Sequence, residues 1–298
     1  MILAVYLHEN SRKKNKESMQ VIAEVGSTKA DWRFVAKDGA INSLVTPGFN
    51  PNYHSQEQIR HYIEAPLKNL NVGQAVTALY YYGTGCSDED RCSTIANALQ
   101  PFFPQANLSI HHDLLGAARA TCMHEAGITI ILGTGSNTIL YDGEKQVDNV
   151  PSLGYIMADE GGGFDIGKRL VKAYFYRELP NKIAHEVQQR IPNGKSELLD
   201  NLYKPGAIPA AYLASFAPIA ATFINEPFIQ NLLTEAFQEI IDRHLAKYPK
   251  YQSLTIHFVG SIAYHFQSFI RTLFESKGFE VGKFVKQPID YLVAYHGG

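Results

Sequence analysis

The sequence predicts an α/β layer fold made of two similar halves, and three observations predict it. Short apolar, strand-like runs alternate with stretches of helical periodicity over most of the chain. The stretch "VIAEVGSTKADWRF" sets a Gly/Ser/Thr turn between two strand-like runs, and "ITIILGTGSNTILY" repeats that plan in the middle of the sequence. Each is followed by an Asp-Gly turn, at residues 38–39 and 142–143. The same order of elements twice over points to an ancient duplication with a cleft between the halves.

Taken in order, "QVIAEV" and "DWRFVA" form a hairpin around Gly26, and "AKDGA" offers a further reversal. "SQEQIRHYIEAPLKNL" has Ile59, Tyr62 and Ile63 at helical spacing, with Ser55 as the expected N-cap. "AVTALYYYG" reads as a buried strand, and "SDEDRCSTIANALQPFF" as a helix capped by Ser87. "NLSIHH" is a short strand, and "LLGAARATCMHEAG" a helix ending at Gly127. The second hairpin then restarts the programme, so the boundary is expected near residues 125–128. A long helical part follows, with helices expected in "DIGKRLVKAYFYREL" from Ile166, "KIAHEVQQRI", "KSELLDNLY" and "PFIQNLLTEAFQEIIDRHLAKY". "LTIHFVGSIAYHFQSFIRTLFESKG" closes with strand, glycine turn and helix.

The composition narrows the function classes. With 298 residues, 45% hydrophobic and 19% charged, the chain has enough apolar mass for two ordinary domains. A net charge of −2 lacks the basic excess that nucleic-acid binding requires. No apolar run approaches the roughly 18 residues that span a bilayer, so no membrane partner is expected. The three cysteines, Cys86, Cys92 and Cys122, form no CxxC pair and are too few for a disulfide framework, which suits a reducing, cytoplasmic setting. "HENSRKKNKES" reads as a polar tail, so residues 1–18 are expected to lie outside the fold, with Met19 as an alternative start.

The chemistry-bearing residues cluster at the turns. Backbone N–H groups at a glycine-rich tip form a nest that favours phosphate, and Ser27, Thr28, Thr134 and Ser136 add hydroxyl donors. Lys29 adds charge. One such turn is ordinary hairpin punctuation; two with matched flanks in corresponding places argue for phosphate binding. "GGFDIGKR" from Gly162 imitates a phosphate loop, but Arg169 stands where that loop needs a hydroxyl for magnesium, and no clear strand precedes it. Glu24 is a carboxylate in an apolar strand just before the first turn, which suits a hydrated magnesium ion or an exposed strand end. Asp113 follows "NLSIHH", where α/β folds place reactive groups and where helix N-caps also occur. Asp159 lies on a glycine-rich loop. His111 and His112 are adjacent on a strand, point to opposite faces, and make no metal pattern.

With these pieces in this order, the chain resembles the BadF/BadG/BcrA/BcrD-type ATPases of the actin, hexokinase and Hsp70 superfamily, and most closely their N-acetylglucosamine kinase-like members. The resemblance runs from about Gln20 to the C-terminus and rests on "EVGSTKADW", "TPGFNPN", "HHDLLGAA", "ILGTGSN", "LGYIMADEGGG" and "VGSIAYHF". It implies two RNase H-like, actin-like ATPase domains with an interdomain nucleotide cleft. The first would span 19–126, completed by about 285–298, and the second 127–284, with helical insertions.

It also implies ATP and Mg2+ as cofactors and a small amino sugar as partner, and it allows a homodimer. Gly26, Ser27, Thr28, Lys29, Gly133, Thr134 and Gly135 would lie at the phosphates, and Gly260 and Ser261 at the adenosine. Asn50, Asp113, Ser136, Asn137 and Asp159 would line the sugar, Asp113 would be the catalytic base toward the 6-hydroxyl, and Glu24 would hold the metal through water. The implied activity is ATP-dependent phosphorylation of N-acetylglucosamine. N-acetylmuramate and glucosamine remain alternative acceptors, and an ATPase that activates a partner enzyme, or a non-catalytic sugar sensor, an alternative role. Val25 and Ser27 replace glycines of the first motif, and Leu153 a tryptophan of vertebrate-type relatives, which leaves the exact sugar open.

Overall fold

The computed structural model describes residues 18–26, 29–70 and 72–297; the expected tail up to residue 17 lies outside them. The chain divides into two compact units between His111 and His112.

The first unit runs β1 (Met19–Val25), β2 (Lys29–Ala36), β3 (Ile41–Pro47), α1 (Gln56–Leu70), β4 (Val76–Gly83), α2 (Glu89–Leu99) and β5 (Asn107–His112). Its five-stranded sheet has the order β3-β2-β1-β4-β5. The hairpin pairs Val25 with Ala30 and Glu24 with Asp31, and β4 joins β1 in parallel. Trp32 of β2 is fully buried, and its indole N–H donates to Thr46 Oγ1 at 3.1 Å. An unpaired N–H at that depth costs about 1–3 kcal/mol.

Helix α1 begins as the sequence predicts. The Gln58 amide donates to Ser55 Oγ and the Ser55 amide to Gln58 Oε1, at 3.3 and 2.8 Å, which is a reciprocal cap. Ile59, Ile63 and Leu67 form its buried stripe. The cap of α2 differs from expectation. Asp88, not Ser87, accepts the Arg91 amide at 3.0 Å, while the Ser87 hydroxyl accepts from the Arg91 guanidinium. A carboxylate at this position also complements the helix dipole.

The second unit runs α3 (Asp113–Cys122), β6 (Gly127–Leu132), β7 (Ser136–Tyr141), β8 (Gln146–Asp148) and six helices: α4 (Gly163–Phe175), α5 (Asn181–Arg190), α6 (Gly194–Tyr203), α7 (Pro209–Ala214), α8 (Ala217–Thr222) and α9 (Pro227–Arg243). It ends with β9 (Ile256–Val259), α10 (Ser261–His265), α11 (Gln267–Ser276), β10 (Val281–Val285) and α12 (Ile289–Gly297). The sheet order is β10-β9-β6-β7-β8. Read from the other edge it repeats the first sheet strand for strand, with the same antiparallel hairpin and the same parallel return strand. The duplication seen in the sequence is therefore a duplication of topology. The helices from α4 to α9 occupy the place that α1 alone fills in the first unit.

Two boundaries around α3 differ from those the sequence predicts. Helix α3 ends at Cys122, and Met123 takes a left-handed φ of 57°, so the helix stops before Gly127. The division into units also falls one helix before the strand pattern restarts. Leu114, Ala118 and Cys122 of α3 pack on Ile139 and Tyr141. Ala117 packs on Ile131, Val259 and Val285. Small side chains let the helix approach the second sheet closely, and α12 packs on α3 in turn. Residues 285–297 thus sit with the second unit.

Candidate functional site

In the first unit, the hairpin between β1 and β2 closes through a Gly26 N–H that donates to the Lys29 carbonyl at 2.9 Å. Ser27 and Thr28, expected at its tip, lie outside the described residues. Lys29 directs its ammonium to Asp31, 2.6 Å away. Asp31 is 5% exposed and stands directly across the strand pair from half-buried Glu24. Directly opposed residues of an antiparallel pair share one face of the sheet, so two carboxylates emerge together beside the turn. The sequence singles out Glu24 by its apolar neighbours and gives no such sign for Asp31. Among the described residues no group of three His, Cys, Asp or Glu side chains could cage a metal ion. Two hard oxygen donors fit an ion that keeps most of its water and shares substrate phosphates, as magnesium does.

Asn50 is buried in the loop after β3. Its Oδ1 accepts the Asn52 amide at 2.9 Å and its own amide donates to His54 Nδ1 at 3.1 Å. Gly85, with φ +81°, passes so close that a β-carbon there would stand 2.2 Å from Asn50 Oδ1.

The second unit gathers more of the expected site. The hairpin tip between β6 and β7 is pinned by a Gly133 N–H that donates to the Gly135 carbonyl at 3.0 Å. The first amides of α4, from Gly163 and Phe164, donate to the carbonyls of Gly133 and Thr134 at 2.9 and 2.8 Å. The apparent phosphate loop at Gly162 is therefore the start of a helix whose first two amides are already committed to the hairpin. That helix begins at Gly163, three residues before the expected Ile166. Lys168, the lysine of the imitation motif, lies over the Phe164 ring and 3.4 Å from Asp165.

Asp159 holds a left-handed φ of 69°. Its carboxylate accepts the Ser136 amide at 3.2 Å and the Ser152 hydroxyl at 3.1 Å, so the loop carrying Asp159 is clasped to the second hairpin. Asn137 Oδ1 accepts the Thr138 amide and the Asn149 side chain, at 2.9 and 3.0 Å. Leu153, next to Ser152, is 62% exposed. Gly260 has φ +113°, and a β-carbon on it would meet the Leu132 carbonyl at 2.3 Å. The turn after β9 is thereby packed against the base of the hairpin, and Ser261 opens α10 beside it. Ser136, Asp159 and Gly260 thus meet at one hairpin.

Asp113 is the first residue of α3, and its side chain is 31% exposed. The helix runs antiparallel to β6. Thr121 Oγ1 lies 2.8 Å from Thr129 Oγ1 near the start of the strand, whereas Ala117 packs on Ile131 and Val259 near the carboxyl ends of β6 and β9. One turn further on, Asp113 lies toward the end of the sheet that carries Gly133, Gly135 and Gly260.

The cysteines do not converge on an exposed cluster. Cys86 and Cys122 are buried, and burial pushes the Cys122 thiol above its usual range. No helix among the described residues is long and apolar enough to cross a membrane.

No protein-family model matches the chain. Among solved structures, it is similar to the "putative N-acetylglucosamine kinase" of Porphyromonas gingivalis, with 30% identity, a TM-score of 0.87, and coverage of 93% of this chain and 98% of that one. The "putative N-acetylglucosamine kinase" of Chromobacterium violaceum shares the fold at 17% identity and a TM-score of 0.69, covering 94% of this chain and 99% of that one. A non-polymerising MamK mutant bound to AMPPNP shares it at 11% identity and a TM-score of 0.53, with 93% and 97% covered.

Proposed function

The chain belongs to the N-acetylglucosamine kinase-like family of the actin/hexokinase/Hsp70 superfamily, and from that premise we propose that it transfers the γ-phosphoryl group of ATP to the 6-hydroxyl of N-acetylglucosamine. That it is a sugar kinase follows from the family; the sugar and the hydroxyl are our reading. The observation that carries it is the placement of Asp113 toward the same end of the second sheet as the Gly133–Gly135 hairpin and Gly260. An aspartate there can serve an acceptor beside a bound triphosphate.

In this reading Gly26 and Gly133 close the two turns, the amides and hydroxyls of Ser27, Thr28 and Thr134 and the amide of Gly135 receive phosphate oxygens, and Lys29 contributes charge from its seat on Asp31. Gly260 and Ser261 meet the adenosine. Asn50, Ser136, Asn137 and Asp159 orient the sugar. Asp113 takes the proton of the hydroxyl while its oxygen bonds to the γ-phosphorus. The bond from that phosphorus to the bridging oxygen breaks, and ADP leaves. Magnesium, when bound with ATP, neutralises charge on the phosphate oxygens; Glu24, through water, and Asp31 are the residues that would hold it. A base in hydrogen-bond reach contributes about 10²–10⁴-fold, and positioning supplies much of the rest.

A coupled ADP-release assay over N-acetylglucosamine, glucosamine, N-acetylmuramate and glucose tests the acceptor. The highest kcat/KM is expected with N-acetylglucosamine. A clear preference for another sugar would replace the acceptor, and ADP release independent of every sugar would overturn the kinase reading.

A further inference from the structure

His112 is the residue of the "HHD" stretch whose chemistry the proposed reaction leaves unused. Its neighbour His111 stacks on Tyr82, with ring centroids 5.6 Å apart, and is accounted for by packing. His112 Nδ1 instead lies 2.7 Å from Asp113 Oδ1. Two lone pairs at that distance would repel, so a proton stands between them, and the imidazole is its ordinary carrier. The same nitrogen is 3.2 Å from the Leu114 amide, toward which it can act only as acceptor. One nitrogen cannot do both, and the shorter contact is to the carboxylate. Burial opposes a cationic His112, yet the hydrogen bond to Asp113 and the Asp113 charge outweigh it and raise the imidazole above its usual value.

We propose that His112 is a positioning residue for the base, holding Oδ1 of Asp113 through Nδ1–H so that Oδ2 is left to receive the proton of the sugar hydroxyl. This rests on the kinase reading above. The competing role is a helix cap for α3 through Leu114, and the two roles ask for different replacements. Serine restores a cap but is too short to hold the carboxylate. Asparagine places an N–H donor near the position of Nδ1.

The test compares wild type with His112→Ser and His112→Asn in steady-state turnover with ATP and N-acetylglucosamine. Alongside it, the His112 ring is titrated by NMR in wild type and in Asp113→Asn. His112→Ser should fold with a Tm close to wild type and lose on the order of tenfold in kcat, with the sugar KM within about twofold. His112→Asn should recover most of that loss. The ring of His112 should titrate lower in Asp113→Asn than in wild type. A serine variant as fast as wild type, or a His112 titration indifferent to Asp113→Asn, would overturn the proposal while the kinase reading stands. A wild type without sugar-dependent turnover would overturn that reading and the proposal together.

Discussion

The carboxylate of Asp159 fills the space that a β-carbon on Gly135 would need, for such a carbon would stand 2.5 Å from Oδ2. The loop from Ser152 to Gly163 and the second hairpin are thereby locked in one arrangement. The left-handed backbone of Asp159 persists because Ser136 and Ser152 hold its side chain.

Gly135→Ala should break this clasp. The methyl group must push the carboxylate off Ser136, at about 1–3 kcal/mol for overpacking. Steady-state kinetics should show a rise in the sugar KM larger than any rise in the ATP KM, and thermal unfolding should show a modest loss. A sugar KM equal to wild type would separate Asp159 from the acceptor.

Asp165→Ala should be more damaging to stability than to chemistry. Asp165 is 3% exposed, accepts the Gly161 amide at 3.1 Å and holds Arg169 Nε at 3.0 Å. Its loss strands a buried amide and half of the guanidinium pairing. Glu239, 2.6 Å from Arg169 on α9, remains. The cost should therefore lie toward the lower end for a broken buried pair, about 3 kcal/mol, read as a fall in the urea midpoint.

The protein should lose stability as the pH falls from about 6.5 to about 4. Burial first, and then the charge of Lys283, depress the His257 imidazole to about 4; its Nδ1 accepts the Lys283 amide at 3.0 Å. The folded state takes up this proton less readily than the unfolded chain does. The contribution is therefore full above the unfolded value and is lost as pH falls through the folded one, for a total of about 3 kcal/mol. His257→Asn keeps an acceptor for the amide and should flatten the Tm profile across that window. A wild-type profile that is equally flat would contradict the assignment.

Much of this arrangement is legible in the sequence because it is carried by local signals. Glycine tips between apolar runs give both hairpins, and repetition of that order gives two sheets of the same topology. Ser55 and Gln58 announce the start of α1 by their spacing. What is not legible depends on pairing across space. Asp31 looks like a solvent-facing residue of an alternating strand until hairpin register sets it opposite Glu24. Asp165 sits inside a false phosphate motif, and only the packing of α4 on α9 shows it as the anchor of the loop behind Asp159. Helix α3 follows the last strand of the first sheet in sequence but belongs to the second unit, because Ala117 and Ala118 fit against strands that come later in the chain.

The most direct measurement follows the phosphoryl group itself, from ATP to the sugar, in wild type and in Asp113→Asn, with affinity for a non-hydrolysable ATP analogue measured on both proteins. Wild type should form N-acetylglucosamine 6-phosphate and ADP in equal amounts. Asp113→Asn should bind the analogue equally well and turn over about 10²–10⁴-fold more slowly. An Asp113→Asn enzyme as fast as wild type, or a wild type that releases phosphate to water whether or not sugar is present, would contradict the account.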